Sequence, residues 1–211
     1  AKHADDMLST DIPANVYEGL KASQVTDVHV FGRRGPANIK FTPIELRELG
    51  EVEDVDIVLY DEDFPDGWFD EDAEGVTNQH KVMARILESW RERELTGASR
   101  RLHLHFYSTP VEILGDEHVT GIKFQRTGTS EFFEHEVQAV YRAIGYFGSA
   151  LPEVPFDEKL GVIANKGGRV ADGIYATGWI KRGPVGLIGH TKSDATETIE
   201  NLVADISTFA D

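Results

Sequence analysis

Val25-Thr26-Asp27-Val28-His29-Val30-Phe31-Gly32-Arg33-Arg34-Gly35-Pro36 is the segment from which the architecture follows. Val25, Asp27, His29 and Phe31 alternate with Thr26, Val28 and Val30. The run is short and β-branched, and it ends in a glycine-flanked basic pair, so it reads as a strand feeding a loop. Downstream, Phe41-Thr42-Pro43-Ile44-Glu45-Leu46 is a helix start. Thr42 suits the N-cap, Pro43 the first helical position, and Glu45 completes a capping box, with Phe41 and Leu46 placed as a hydrophobic staple. The helix is expected to end near Gly50. Asp56 to Tyr60 follows as a strand around Ile57-Val58-Leu59. Strand, loop, helix and strand in that order imply a parallel α/β sheet.

Working outward, residues 61–74 are acidic and read as a loop, and His80 to Leu95 as a helix with Val82, Ile86 and Trp90 on one stripe. Four strands are expected: Leu102 to Tyr107, Val111 to Leu114, Val119 to Gln125, and the apolar-rich Val137 to Tyr146. Val162-Ile163 and Arg169-Val170 flank Asn165-Lys166-Gly167-Gly168 as a hairpin. Gly173 to Thr177 reads as a short strand running into a glycine-rich segment. A last helix from about Asp194 is expected to bury Ala195, Ile199, Leu202, Val203 and Ile206. Toward the amino end, Val16 to Ala22 reads as a helix and Ala1 to Leu8 as the end of another. Composition changes around residues 145–155, which sets the expected boundary between units 1–147 and 148–211.

The 211 residues carry 37 acidic and 21 basic groups, a formal charge of −16. Such a surface argues against general nucleic-acid binding. The chain has no cysteine, which excludes disulfides, a thiol nucleophile and Cys-ligated metal. No apolar run is long enough to span a membrane, and the start lacks a signal peptide's apolar region. A cytoplasmic location is the expectation.

Three constellations carry chemistry. Arg33 and Arg34 stand at a strand's carboxyl end, where open α/β sheets bind ligands and where arginine receives the 2′-phosphate of NADP. A plain basic turn is the competing reading. Glu45 and Glu48 share a helix face. Glu45 is also explained by its cap, and Glu48 by simple solvation. In Gly178-Trp179-Ile180-Lys181-Arg182-Gly183-Pro184-Val185-Gly186-Leu187-Ile188-Gly189, four glycines lie close together ahead of an expected helix. That arrangement suits either an anionic, electron-rich group or tight packing alone. His103 and His105 lie two apart on a strand but lack a third ligand at a recognised spacing, so no metal site is expected. The acidic residues of 61–72 lack the order of an EF-hand, and Ser193 has no evident triad partners.

These segments together resemble the adrenodoxin-reductase-like ferredoxin–NADP⁺ reductases. The resemblance rests on Gly32-Arg33-Arg34-Gly35-Pro36, Phe41-Thr42-Pro43-Ile44-Glu45-Leu46-Arg47-Glu48-Leu49, Arg142-Ala143-Ile144-Gly145-Tyr146, Pro155-Phe156-Asp157 and Gly167-Gly168-Arg169. Most specific is Gly178-Trp179-Ile180-Lys181-Arg182-Gly183-Pro184, followed by Gly186-Leu187-Ile188-Gly189, Lys192 and Asp194-Ala195-Thr196-Glu197-Thr198. Position 185 is Val where the family usually has Thr. The family's first FAD segment and its glycine-rich NADP loop have no counterpart here, so Ala1 reads as an internal start.

The resemblance implies a Rossmann-like three-layer dinucleotide-binding domain, truncated, over residues 1–147, and part of an FAD-binding domain over 148–211. It implies that Arg33 and Arg34 clamp the NADP 2′-phosphate and that Glu45 contacts NADP. Glu48 would lie toward the nicotinamide–flavin region as the catalytic candidate. Trp179 would contact the flavin, and Gly186, Leu187 and Ile188 would meet its pyrimidine edge. The implied activity is hydride transfer from NADPH to FAD, then single electrons to a ferredoxin-type iron–sulfur protein. Lys181 and Arg182 would add to a basic docking patch. The alternatives are a non-catalytic nucleotide-binding fragment and a flavin-dependent NADPH reductase serving another acceptor. The fragment alone is expected to be inactive and to retain no flavin.

Overall fold

β1 (Asp27–Phe31), β2 (Val55–Val58) and β3 (Arg100–His105) form a parallel sheet in the order β1–β3–β2. The structure is a computed structural model describing residues 1–184 and 188–209, with the backbone alone at 188–190. The described chain divides into two compact units, Ala1–Val140 and Tyr141–Asp211. The division therefore falls before the boundary expected at residue 147.

In the first unit, α1 (Ala14–Lys21) precedes the sheet, α2 (Pro43–Gly50) follows β1, and α3 (Asn78–Arg91) follows β2. Successive β3 side chains point to opposite faces. Leu102 and Leu104, with Phe106 beyond the strand, share the main core with Leu46 of α2 and Met83, Leu87 and Trp90 of α3. Thr42 closes the expected capping box: its hydroxyl accepts from the Glu45 amide at 3.3 Å, and its own amide donates to the Glu45 carboxylate at 2.7 Å. Thr77 builds a second such box with His80, which starts α3 two residues earlier than expected. Asp56 ties the start of β2 to the chain entering β3 by accepting from the Thr96, Gly97 and Ala98 amides.

β4 (Ser108–Gly115), β5 (Val119–Arg126) and β6 (Phe132–Glu136) form an antiparallel meander. It reaches the sheet's other face, where Phe124 stacks on Phe31 with centroids 4.2 Å apart. Helices, parallel sheet and meander make the three expected layers. The expected strand over Val137–Tyr146 does not form; the meander's third strand lies earlier, at β6. A strand needs a neighbour for its amides and carbonyls. Among the described residues only the Val137 amide reaches a strand, donating to the Thr120 carbonyl of β5 at 3.3 Å, no strand ladder continues along 138–146, and Tyr141, Ile144 and Tyr146 are exposed.

The second unit holds β7 (Phe156–Asp157) paired with β8 (Val162–Ile163), and β9 (Arg169–Ala171) paired with β10 (Ile174–Tyr175). The expected hairpin is thus split. Val162-Ile163 and Arg169-Val170 each pair elsewhere, and only a Lys166–Arg169 bridge closes the loop between them. α4 (Trp179–Arg182) and α5 (Ile188–Asp205) follow.

α5 also reverses an expectation. Its Asp194, Glu197, Thr198, Asn201 and Asp205, spaced to share one helix face, hydrogen-bond the loops and strands of the unit. Ile199, Val203 and Ile206, expected inside, are exposed. The loops it meets offer unpaired amides, carbonyls and a lysine, and only polar side chains satisfy those.

Candidate functional site

The carboxyl ends of the three parallel strands set the first site. After β1 the chain turns through Gly32–Gly35 and is held against the end of β3. The Gly32 amide donates to the His105 carbonyl at 2.8 Å, the Ser108 amide to Gly32 at 3.0 Å, and the Tyr107 amide to Arg34 at 3.3 Å. Gly35 is dictated by space, because a Cβ there would lie 2.2 Å from the Tyr107 hydroxyl. Tyr107 itself takes a left-handed backbone (φ 50°), which non-glycine residues adopt rarely.

On this braced turn Arg33 and Arg34 are both exposed. Among the described residues neither guanidinium pairs with a carboxylate, while Arg91, Arg101, Arg126, Arg169 and Arg182 all do. Glu45 and Glu48 are exposed on α2. The Glu45 carboxylate sits below its ordinary range because the Thr42 amide donates to it. Its Oε2 is the atom engaged in that cap.

Asp63 braces the same edge from the end of β2. It is 2% exposed. It accepts from the Phe106 amide and from Arg126 (2.7 and 2.6 Å), and Arg126 also donates to the Glu62 carbonyl. Burial pushes its carboxyl up, against the pull of the Phe106 amide and Arg126. Arg126 in turn lies over the Tyr107 ring, 5.5 Å from its centroid. Nothing in the local sequence distinguished Asp63 within its acidic run. Its partners come from β3 and β5, far along the chain.

The second site is the glycine-rich segment of the second unit. Trp179 opens α4, is 53% exposed and lies 5.7 Å from Tyr146, centroid to centroid. The preceding Gly178 amide donates to Asp194 at 2.6 Å, and Thr177, Lys181 and Arg182 contact the same carboxylate. Burial raises the Asp194 carboxyl, but the Gly178 amide and Lys181 outweigh it and hold the group below its ordinary value.

Lys181 is buried, 2.6 Å from Glu197 and 3.1 Å from the Thr198 hydroxyl. That corrects the expectation of a docking cation: Lys181 is spent inside its own unit, and Arg182 shares its carboxylate. Gly186 and Leu187 lie outside the described residues. Ile188 begins α5, with no side chain described. The spacing of Asp194, Glu197 and Thr198 on one turn of helix was the available signal for this node.

A third cluster escaped the linear spacing. His29 faces His103 across the β1–β3 register, one step from His105. The His29 Nδ1 and His105 Nε2 are 2.9 Å apart. Burial pushes the His29 imidazole down to about 4 and that of His105 to about 3, with neighbouring imidazoles adding to the effect. The third imidazole that His103 and His105 lack in sequence is supplied from the next strand.

No protein-family profile matches the chain. Among curated proteins, the NADPH-ferredoxin reductase FprA of Mycobacterium tuberculosis is 36% identical over 96% of this chain and 47% of its own length. The mitochondrial NADPH:adrenodoxin oxidoreductase of Arabidopsis thaliana is 31% identical over 95% of this chain and 48% of its own. The chain is homologous to the FprA and adrenodoxin reductase family. It spans about half the length of these relatives. The solved structure of Mycobacterium tuberculosis FprA in complex with NADPH superimposes with a TM-score of 0.89, covering 98% of this chain and 49% of that one. The mixed α/β fold, with its Rossmann-like dinucleotide-binding region, is that of half of the FprA structure. A thioredoxin reductase from Lactococcus lactis, 15% identical with a TM-score of 0.53, shares the fold alone.

Proposed function

We propose that the chain carries the NADPH-binding part, and some of the flavin-binding part, of an oxidoreductase of the ferredoxin reductase type. The observation that carries this reading is the Arg33–Arg34 pair. Two exposed guanidinium groups, unpaired with carboxylates among the described residues, stand on a braced turn at the carboxyl end of a parallel strand. A 2′-phosphate carries about two negative charges, and planar, permanently protonated donors are the side chains that hold such a group best. The names of the relatives, NADPH-ferredoxin reductase and NADPH:adrenodoxin oxidoreductase, agree with this choice.

NADPH and FAD, when bound, supply the hydride and single-electron chemistry that serves a ferredoxin-type iron–sulfur acceptor. The residues of this chain bind and orient. Arg33 and Arg34 hold the 2′-phosphate, and Glu45 contacts the nucleotide while its Oε2 keeps α2 capped. Glu48, one helical turn further on and exposed, is the residue that this reading assigns to the reacting region. Trp179 offers an exposed indole face to the flavin, and Gly186, Leu187 and Ile188 are the residues that this reading assigns to its pyrimidine edge. A cytoplasmic location belongs to the same reading. Among the described residues no helix is long and apolar enough to cross a membrane.

Calorimetric titration with 2′,5′-ADP and 5′-AMP isolates the 2′-phosphate. Arg34→Ala is expected to weaken 2′,5′-ADP by about 1.5–3 kcal/mol, the size of a charge-assisted contact, and to leave 5′-AMP unchanged. Equal losses for both ligands would remove the phosphate role from the arginine pair.

A further inference from the structure

We propose that His29, His103 and His105 form a binding site for a divalent transition-metal ion, zinc being the best match, oriented by Asp27. The site lies within the first unit, on the sheet face opposite the helices. His103 and His105 are two apart on β3, so both point to that face, and His29 of β1 stands directly across from His103. One ligand atom from each ring lies within 4.8 Å of the other two. Three imidazoles with an open fourth position make a recognised zinc donor set.

The surroundings supply the outer contacts such a site needs. The His103 Nε2 is 2.9 Å from an Asp27 carboxylate oxygen. Asp27 is itself gripped by Arg101 at 2.6 and 3.0 Å. A carboxylate on the second nitrogen of an imidazole fixes the tautomer and raises ligand basicity. That pairing leaves Nδ1 of His103 as the ligating atom, and the Tyr60 hydroxyl, 2.8 Å from it, is the group that an ion displaces. Between His29 and His105 the ion replaces the shared hydrogen-bond proton. Their nitrogens are 2.9 Å apart, and a tetrahedral zinc at ordinary bond lengths asks for about 3.3 Å. His29 and His103 lie face to face, with centroids 4.1 Å apart and planes 15° apart. Closing on an ion therefore turns one ring about its Cβ–Cγ bond. His135 of β6, edge-on to His29 at 4.3 Å, covers the group from the meander. A bound ion would staple β1 to β3, the strands whose ends brace the Arg33–Arg34 turn.

The test uses the untagged 211-residue chain, stripped with a chelator and titrated with Co²⁺ as a coloured probe, then with Zn²⁺ in competition. The expected result is one equivalent of Co²⁺ with the intense visible bands of a low-coordinate ion, displaced by Zn²⁺. His29→Phe and His105→Phe keep an aromatic ring in the stack and remove the lone pair; each is expected to weaken binding at least tenfold. Asp27→Asn is expected to cost about tenfold. His118→Asn, at an exposed histidine on the β4–β5 turn, is expected to change nothing. Imidazole nitrogen NMR of the unmodified chain provides a readout independent of any variant: Zn²⁺ should shift the ring signals of His29, His103 and His105. The proposal is overturned by absence of stoichiometric binding, by binding that persists undiminished in the folded Phe variants, or by zinc-induced shifts confined to other histidines.

Discussion

The two units solve the problem of enclosing a helix in opposite ways. In Ala1–Val140, α3 presents Met83, Leu87 and Trp90 to the apolar side chains of β3, and water is excluded by hydrocarbon. In Tyr141–Asp211, α5 presents carboxylates, an amide and a hydroxyl to its unit, while Ile199, Val203 and Ile206 face outward. Both helices are amphipathic. The period of a pattern tells which residues share a face, and only the partner decides which face turns inward.

The largest expected effect follows from that difference. Asp194 gathers the Gly178 amide, Thr177, Lys181 and Arg182 on one carboxylate whose side chain is 9% exposed. Asp194→Ala leaves Lys181 buried with less compensation and is expected to destabilise the second unit by about 3–5 kcal/mol. Amide hydrogen exchange reads this unit by unit: protection should fall along α5 and hold in β3. Leu87→Ala should do the reverse. Leu87 is fully buried, and its truncation is expected to cost about 2–5 kcal/mol, with exchange rising in β3 and α3. If either substitution loosened both units equally, the contrast between them would be lost.

How much of this was legible follows from where the partners lie. The α2 start was readable because its determinants, Thr42, Pro43 and Glu45, are local and each satisfies a backbone group within one turn. The β1–loop–α2–β2 order followed from such local signals, and the three-layer plan from the family resemblance. The face of α5 was not readable, since its partners, Gly167, Ala176, Gly178 and Lys181, are loop and helix groups whose positions no periodicity encodes. The residues 137–146 misled for a related reason: apolar, β-branched composition favours a strand only when a neighbouring strand takes up its backbone. In the site, Arg33 and Arg34 were visible as a motif at a strand end. The brace behind them, Tyr107, Asp63 and Arg126, is assembled from the segments that follow β3 and β2 and from the end of β5. The histidine group likewise needed the β1–β3 register, which sequence spacing does not give.

A smaller effect tests the polar side of α5 at its far end. Arg169 and Tyr175 donate to Asp205 and hold its carboxyl below the ordinary value of 3.8. The unfolded chain then takes up this proton at higher pH than the folded one. The stabilising contribution is complete above the unfolded value and disappears as pH falls through the depressed folded value. Acid titration of thermal stability should therefore show a steeper acid limb in the natural sequence than in Asp205→Asn. The variant should already be weaker at neutral pH and differ little at the acid end. Identical limbs would mean that the carboxylate contributes nothing through its charge.

The smallest expected effect is the most direct probe of the comparison. Ile199 and Val203 stand on the outward side of α5, more than half exposed. Surface substitutions away from special features change stability by no more than about 0.5 kcal/mol. Ile199→Ser and Val203→Ser in the 211-residue chain should therefore leave the melting transition nearly in place. Burying such a side chain is worth about 1.5–3 kcal/mol, so a loss of that size would mean that the stripe is covered in solution. The helix would then have two inward faces, one polar and one apolar, and its likeness to α3 would be restored. A null effect on melting, joined to the large effect of Asp194→Ala, keeps the polar stripe as the side by which α5 is held.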